Sequence, residues 1–326
     1  MGLVAVVMTY EVVLATCNGQ QFLDQQIASI LQQTQPPARL LVSDDLSTDQ
    51  TQQRLIVWQK NSSIPIDILP LEYSFRLGSC KNFERLLRTS TAPYVMMADQ
   101  DDIWDLDKAE RLLHRMQALE LELGADIPLL VHADQRLIDS DGRHLSPSFH
   151  SCQGLYPDRD DVLSVGMQNI VAGCSSLLNR AVIDQALPFP ADTVLHDWWL
   201  ALVSAQAGGL AYVADSCACY RQHQANVVGA KGWPRQLLTV LLGVMRRHPR
   251  VSAQRLITPP LLQLRACLSR FGPADLADAF ELLWSRSSWV RLITAYKLGL
   301  RKHGLWRTAG FYAALICVRP SQQRVV

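Results

Sequence analysis

The chain has 326 residues, 48% of them hydrophobic and 19% charged, with a formal net charge of +1. That suffices to bury a large core, as one big domain or one domain with an appendage. The near-neutral total hides a division, because residues 1–230 hold 15 Lys and Arg against 27 Asp and Glu, whereas residues 231–326 hold 16 against 3. The eight cysteines, at 17, 80, 152, 174, 217, 219, 267 and 317, form no Cys-x-x-Cys pair and no zinc-type set with histidine, so they read as reduced, mostly packed thiols of a cytosolic protein.

In chain order, Met1 to Met8 is apolar but lacks a basic flank and runs into the first strand, which makes it a poor signal peptide. Glu11 to Thr16 reads as a strand and Cys17-Asn18-Gly19 as a turn. A helix follows, with Phe22, Leu23, Ile27, Ile30 and Leu31 at helical spacing, and ends at Pro36-Pro37. Leu40 to Ser43 is a second strand stopping at Asp44-Asp45, Asp49 caps a helix through Trp58, Ile64 to Leu69 is a third strand, and Lys81 to Thr89 is a helix. This alternation predicts an α/β fold, a mostly parallel sheet with helices on both faces. No Gly-x-Gly-x-x-Gly follows the first strand and no Walker sequence occurs, so neither a dinucleotide fold nor a P-loop enzyme is supported.

The stretch Ala92 to Trp104 organises the rest. Five apolar residues, Tyr94 to Ala98, read as a strand buried on both faces, and they stop at Asp99, Asp101 and Asp102. An isolated Asp-x-Asp is more often a solvated turn. Three carboxylates at the carboxyl end of a buried strand repel one another, however, and a divalent cation with oxygen ligands, Mg²⁺ or Mn²⁺, would relieve that. Beyond the helix Lys108 to Leu123, the pattern predicts strands over Leu129–Ile138, Asn169–Asn179 and Leu210–Tyr220. It also predicts a hairpin turn at Asp139–Gly142 and a helix from Leu195 to Gly208-Gly209. From Trp233 onward only helical patterns remain, broken at Pro249, Pro259-Pro260, Gly272-Pro273 and Gly304.

These pieces together resemble the family 2 glycosyltransferases, in their rhamnosyltransferase-like branch. The resemblance rests on Leu14–Gly19, Ser43-Asp44-Asp45 with Ser47-Thr48-Asp49, Gly78 with Asn82-Phe83-Glu84, Ala98–Trp104, Val171–Cys174, His196–Trp199 and Tyr220–His223 through Asn226, spanning residues 11–230. It implies the GT-A fold, a nucleotide-sugar donor, a divalent metal and inversion at the anomeric carbon. Ala15, Thr16, Asn18 and Asp44 or Asp45 would then line the base and ribose pocket, with Lys81 and Asn82 touching the donor. Asp99 and Asp101 would hold ribose and metal, His223 would complete the metal shell or bind the diphosphate, and Arg221 would add charge. Asp197 would be the general base, its pKa raised by the shielding of Trp198 and Trp199, while Gly173, His196, Trp198 and Trp199 would flank the acceptor. The chain departs from the family pattern at Cys17, Leu46, Gln50 and Leu106. Of these Leu46 matters most, because it replaces a glycine and leucine does not take positive φ cheaply, so the loop beside the base pocket is expected to be reshaped.

The expected function is an inverting, metal-dependent glycosyltransferase, with residues 1–230 as its catalytic domain. It would move a sugar, L-rhamnose from dTDP-rhamnose being favoured over galactose, glucose or N-acetylglucosamine from UDP donors, onto a cell-surface or lipid-linked glycan. A Mg²⁺ phosphohydrolase and a non-catalytic sugar-binding subunit are the rivals, the former weakened by the lack of an Asp-x-Asp-x-Thr nucleophile motif. Residues 231–326 alternate Arg with Leu, Trp, Tyr and Phe and contain no nucleic-acid motif. They read as an amphipathic helical tail on an anionic membrane surface, which would place the enzyme peripherally on the inner face of the cell membrane. No uncharged run in that tail exceeds the 11 residues Thr308–Val318, too few to cross a bilayer.

Overall fold

The computed structural model describes residues 8–224, 226 and 249–321. Its larger sheet has seven strands in the order β10-β6-β9-β4-β1-β2-β3. These are β1 (Tyr10–Thr16), β2 (Arg39–Asp44), β3 (Ile66–Ile68), β4 (Tyr94–Asp99), β6 (Leu130–Ala133), β9 (Ser176–Asn179) and β10 (Leu210–Val213). All neighbours run parallel except β9, which is antiparallel to both β4 and β6.

The unbroken apolar runs of β1 and β4 follow from burial on both faces. Val13, Val95 and Met97 point into one core, shared with α3 (Ser79–Thr89), α7 (Arg180–Ala186) and α8 (His196–Gln206). Val12, Leu14, Met96 and Ala98 point into the other, shared with α1 (Leu23–Leu31), α2 (Thr51–Asn61) and α4 (Lys108–Leu123). A helix covers each face because a two-sided apolar strand has no face to give to water.

A smaller sheet, ordered β5-β11-β7-β8, sits at the carboxyl end of the large one. It is made of β5 (Ile103–Trp104), β7 (Arg136–Ile138), β8 (His144–Ser146) and β11 (Ala218–Arg221). It corrects two expected strands. Leu129–Ile138 divides into β6 and β7, and Leu210–Tyr220 into β10 and β11, each pair leaving the large sheet for the small one. Because β6 pairs parallel with β10 and β7 parallel with β11, the two segments make the crossing side by side. The bend falls at Asp134, whose carboxylate accepts the N–H groups of Phe149 and His150 and whose carbonyl accepts from Cys217. A hydrogen-bonding group turned inward ends the ladder there. The hairpin turn at 139–142 joins β7 to β8 as expected.

The third expected strand, Asn169–Asn179, is a strand only over its last four residues. Gly173–Ser175 form a 3-10 turn instead. At α2, Asp49 accepts from the N–H of Thr51 one position ahead of the helix cap, Gln50, so it supports the helix start without being its cap residue.

Toward the C-terminus lie α9 (Pro249–Phe271), α10 (Ala274–Glu281), α11 (Ser288–Lys297) and α12 (Leu305–Cys317). Pro259 and Pro260 sit inside α9 and do not end it, contrary to the reading of the sequence. Ile257, Leu261, Leu264 and Leu268 of this helix are fully or almost fully buried in the core that also holds Val165, Trp199 and Leu202. That packing outweighs the helix hydrogen bonds that two prolines forgo. Of the predicted tail, 231–326, residues 231–248 and 322–326 fall outside the described residues.

Candidate active site

The carboxyl ends of β1, β2 and β4 open onto a cleft of about 780 Å³, of a size suited to a nucleotide-sized ligand. Ala15, Thr16, Asn18, Asp45, Asn82, Asp99, Asp101, Gly173, His196, Asp197, Trp198 and His223 all line it. Carboxylates that are remote in sequence thus share one cavity.

Local sequence explains how each wall is held. Asp45 accepts the N–H groups of Leu77 and Gly78 on its two oxygens, at 2.7 and 2.8 Å, which draws the 70–78 segment over the cleft. Asn18 accepts the N–H of Thr48 at 2.8 Å and stands at φ +52°, one of two non-glycine residues in the left-handed region among the described residues. The other is Leu46, at φ +56°. The loop is therefore not reshaped to suit leucine. It keeps a glycine-type conformation, because Asp44, Asp45 and Ser47 on either side are pinned by hydrogen bonds.

The acid loop is fastened to the first strand by Gln100, which accepts the N–H of Cys17 at 2.8 Å and donates to its carbonyl at 3.0 Å. Gly19 leaves room for this amide, since a Cβ there would stand 2.2 Å from the Gln100 amide oxygen and displace it from its two bonds to Cys17.

At the other wall, Asp197 lies in the first turn of α8. One oxygen accepts from the Asn169 amide (3.2 Å) and the Trp198 N–H (2.6 Å), the other from the Gly173 N–H (3.1 Å). Burial pushes its pKa up to about 6 against the pull of those donors. A Cβ on Gly173 would come within 2.8 Å of the His196 ring and 3.2 Å of the Asp197 Cβ, so this close approach also depends on glycine. His196 stacks on Phe83 at 3.9 Å, and burial drives its pKa down to about 3, leaving a neutral ring.

Between the walls, Asp99 is pushed up to about 7, first by burial and then by the charges of Asp101 and Asp197. Asp102 is raised well above the usual carboxylate range, first by burial and then by the charges of Asp101 and Asp99, and its Oδ2 has no hydrogen-bond partner. Donor atoms of Asp99, Asp102 and Cys174 lie within 4.8 Å of one another. The His223 ring nitrogen Nε2 is 2.7 Å from Asp101 Oδ2. Among the described residues the converging donors are thus two carboxylates and a thiol, while Asp101 and His223 pair with each other and do not join Asp99 in that cluster; it is the mutually raised carboxylates that would favour a cation with oxygen ligands, Mg²⁺ or Mn²⁺. The residues therefore fit a divalent metal.

Four sequence-nominated residues do not reach the cleft. Asp44 is buried under it, its oxygens accepting from Thr16, Ser47 and Gln52, so of the two adjacent aspartates Asp45 is the one that lines the cleft. Lys81 pairs with Glu84 on the neighbouring groove. Trp199 is wholly buried and donates to the Ala186 carbonyl. Arg221 is 2% exposed, and its guanidinium donates to the carbonyls of Asp101, Asp139 and Ser140 and to the Gln25 amide oxygen. It holds the acid loop from behind and offers no charge to a diphosphate. The sequence reading also passed over Asn169, Gln100 and Arg76. Gln100 stood inside the quoted acid motif; Asn169 and Arg76, the latter a cleft-lining cation on an irregular segment, carry no periodic signal.

A mostly parallel sheet with an acid-tipped central strand, an antiparallel strand beside it and an aspartate-headed helix across the cleft is the arrangement of the GT-A fold. The glycosyl transferase family 2 model matches residues 11–165, so this stretch carries a family 2 glycosyltransferase domain. Among similar proteins is the dTDP-rhamnosyl transferase RfbG of Shigella flexneri, 27% identical over 228 residues, covering 67% of this chain and 74% of the relative. Another is the putative teichuronic acid biosynthesis glycosyltransferase TuaG of Bacillus subtilis, 24% identical over 68% of this chain and 82% of its own length. Of solved structures, S. aureus TarS in complex with UDP-GlcNAc shares the fold at a TM-score of 0.52 and 14% identity, covering 94% of this chain and 90% of that one. The mannosyltransferase PcManGT of Pyrobaculum calidifontis with GDP-Man and Mn²⁺ does so at 0.53 and 16%, covering 94% and 84%.

Proposed function

We propose that the enzyme transfers a sugar with inversion from a nucleotide-sugar donor, dTDP-L-rhamnose being favoured by the likeness to RfbG, onto a cell-surface or lipid-linked glycan. The observation that carries this reading is that Asp197, the Asp99–Asp101 pair and Asp45 line one cleft. Asp45, Thr16, Ala15 and Asn18 would hold the base and ribose. Asp99, Asp101 and His223 would hold a Mg²⁺ or Mn²⁺ ion, which when bound supplies positive charge to the leaving diphosphate. Asp197 takes the proton of the acceptor hydroxyl. As that oxygen bonds to the anomeric carbon on the face opposite the diphosphate, the carbon–oxygen bond to phosphate breaks. Gly173 and Asn169 orient the base through their hydrogen bonds. The chemistry resides in residues 1–230. The basic C-terminal region, in which no described helix is long and apolar enough to cross a membrane, attaches the enzyme peripherally to the inner face of the cell membrane.

Thermal unfolding with dTDP, UDP and GDP, each with and without Mn²⁺, tests donor base and metal together. A shift with dTDP that Mn²⁺ enlarges is expected, and no response to any nucleotide would overturn the reading. Asp197→Asn should keep that shift while losing about 10³-fold in turnover. Full turnover in this variant would remove Asp197 from the mechanism.

A further inference from the structure

The described C-terminal helices leave an apolar stripe uncovered. On α11, Trp289, Ile293 and Tyr296 are 73%, 52% and 78% exposed and recur at the spacing that places them on one side of a helix. Arg291, Thr294 and Ala295, on the other side, are buried. After a short turn, α12 opens on Leu305 and Trp306, at 88% and 68% exposure. The exposed cations Arg286, Lys297 and Arg301 flank these residues, and no Asp or Glu occurs anywhere from Leu282 to Val326. Tryptophan and tyrosine beside aliphatic side chains, with only positive charge within these two helices and the turn between them, and with Asp158 near His303 on the cleft side, match the headgroup region of an anionic bilayer. A protein partner would more often call for charges of both signs.

The turn between these helices is fastened to the cleft's rim. Lys302 donates to the Met167 carbonyl at 3.0 Å, Arg307 donates to the carbonyls of Gln153 and Gly154 at 2.6 and 3.1 Å, and the Tyr156 N–H donates to His303 at 3.0 Å. Gln153, Leu155 and Gln168 line the cleft next to Asn169, which orients Asp197.

We infer that Trp289, Ile293, Tyr296, Leu305 and Trp306 form the face on which the enzyme rests on an anionic bilayer, and that the 302–307 turn thereby brings the membrane to the Asp197 side of the cleft, where a lipid-anchored acceptor enters. The inference rests on the reading of the acceptor as membrane-bound and names the surface that meets it.

The test uses the full chain with vesicles of phosphatidylcholine containing about a quarter phosphatidylglycerol, part of it brominated in the acyl chain. Binding to these vesicles but not to pure phosphatidylcholine is expected, with quenching of tryptophan fluorescence. Trp289→Phe with Trp306→Phe should bind and lose most of the quenching. Trp289→Ser with Tyr296→Ser and Trp306→Ser should bind about tenfold more weakly or less. Absence of vesicle binding, equal quenching in the phenylalanine variant, or undiminished binding in the serine variant overturns the proposal. So does a dimer in solution that the serine variant dissociates while vesicles bind nothing, since the stripe would then belong to a second copy. The nucleotide-induced thermal shift, measured without vesicles on the same variants, reports the transferase site separately: if it persists when docking fails, only the membrane face falls.

Discussion

The carboxylate of Asp197 accepts three hydrogen bonds and still titrates near 6, because burial outweighs them. Two consequences of opposite sign follow. A general base works deprotonated, so kcat/KM should climb with pH up to about 6 and level off above it, and a pH–rate profile on saturating metal checks this. For the fold, the raised value means that the native state binds more protons than the unfolded chain between the ordinary aspartate pKa and about 6, so this group's contribution to stability falls as pH rises through that window. Asp197→Asn lacks this titration, though its amide nitrogen must face one of those donors, so its stability relative to the parent should rise between about pH 4 and 7, measured by thermal unfolding. A second residue-scale expectation concerns Leu46, held at φ +56°. Leu46→Gly removes a backbone strain of about 1–2 kcal/mol and adds back some unfolded-chain entropy, so a net gain of up to about 1 kcal/mol in denaturant unfolding is expected.

At the scale of elements, the site is made by loops that would be unremarkable singly and are tied to one another by side chains behind them. Arg221 of β11 binds the carbonyl of Asp101 and the 139–140 turn, while its own N–H donates to Asp102. It joins the acid loop to the small sheet. Arg221→Met keeps much of the side-chain length but leaves buried carbonyls without donors, and should cost about 3 kcal/mol in chemical denaturation with loss of the Mn²⁺-dependent thermal shift. Lys108 at the start of α4 plays a related part, donating to the Cys174 carbonyl and so fixing the 3-10 turn that presents the Gly173 N–H to Asp197. Neither cation advertises this in sequence, where each reads as an ordinary charge on a strand or helix.

Across the whole molecule, the acidic and basic parts share a core. Ile257, Leu261, Leu264 and Leu268 of α9 pack with Val165, Met167 and Trp198, and the glycine at 166 leaves room for Leu264, whose side chain a Cβ there would meet at 2.6 Å. A chain ended at residue 230 would expose that apolar surface. It is expected to be insoluble or to lose cooperative unfolding, whereas a version folding as tightly as the full chain would show the helices to be a separate appendage; comparative denaturation of the two decides it.

The sequence by itself determined the alternation of strands and helices, the two-faced burial of β4, and the acid cluster at a strand end, because periodicity and apolar run length are local consequences of which faces meet water. Motif order was enough to nominate Asp99, Asp101, Asp197 and His223, all of which line the cleft. What only the tertiary structure decided was which polar residues face the cleft and which face the protein. Asp44 and Asp45 are adjacent and chemically identical, yet one is saturated by Thr16, Ser47 and Gln52 and the other opens onto the cleft. The departure of β7 and β11 into a second sheet and the passage of α9 through Pro259-Pro260 were likewise set by partners far along the chain. Long-range packing and hydrogen bonding supply energies that exceed local propensity, and a local pattern carries no record of them.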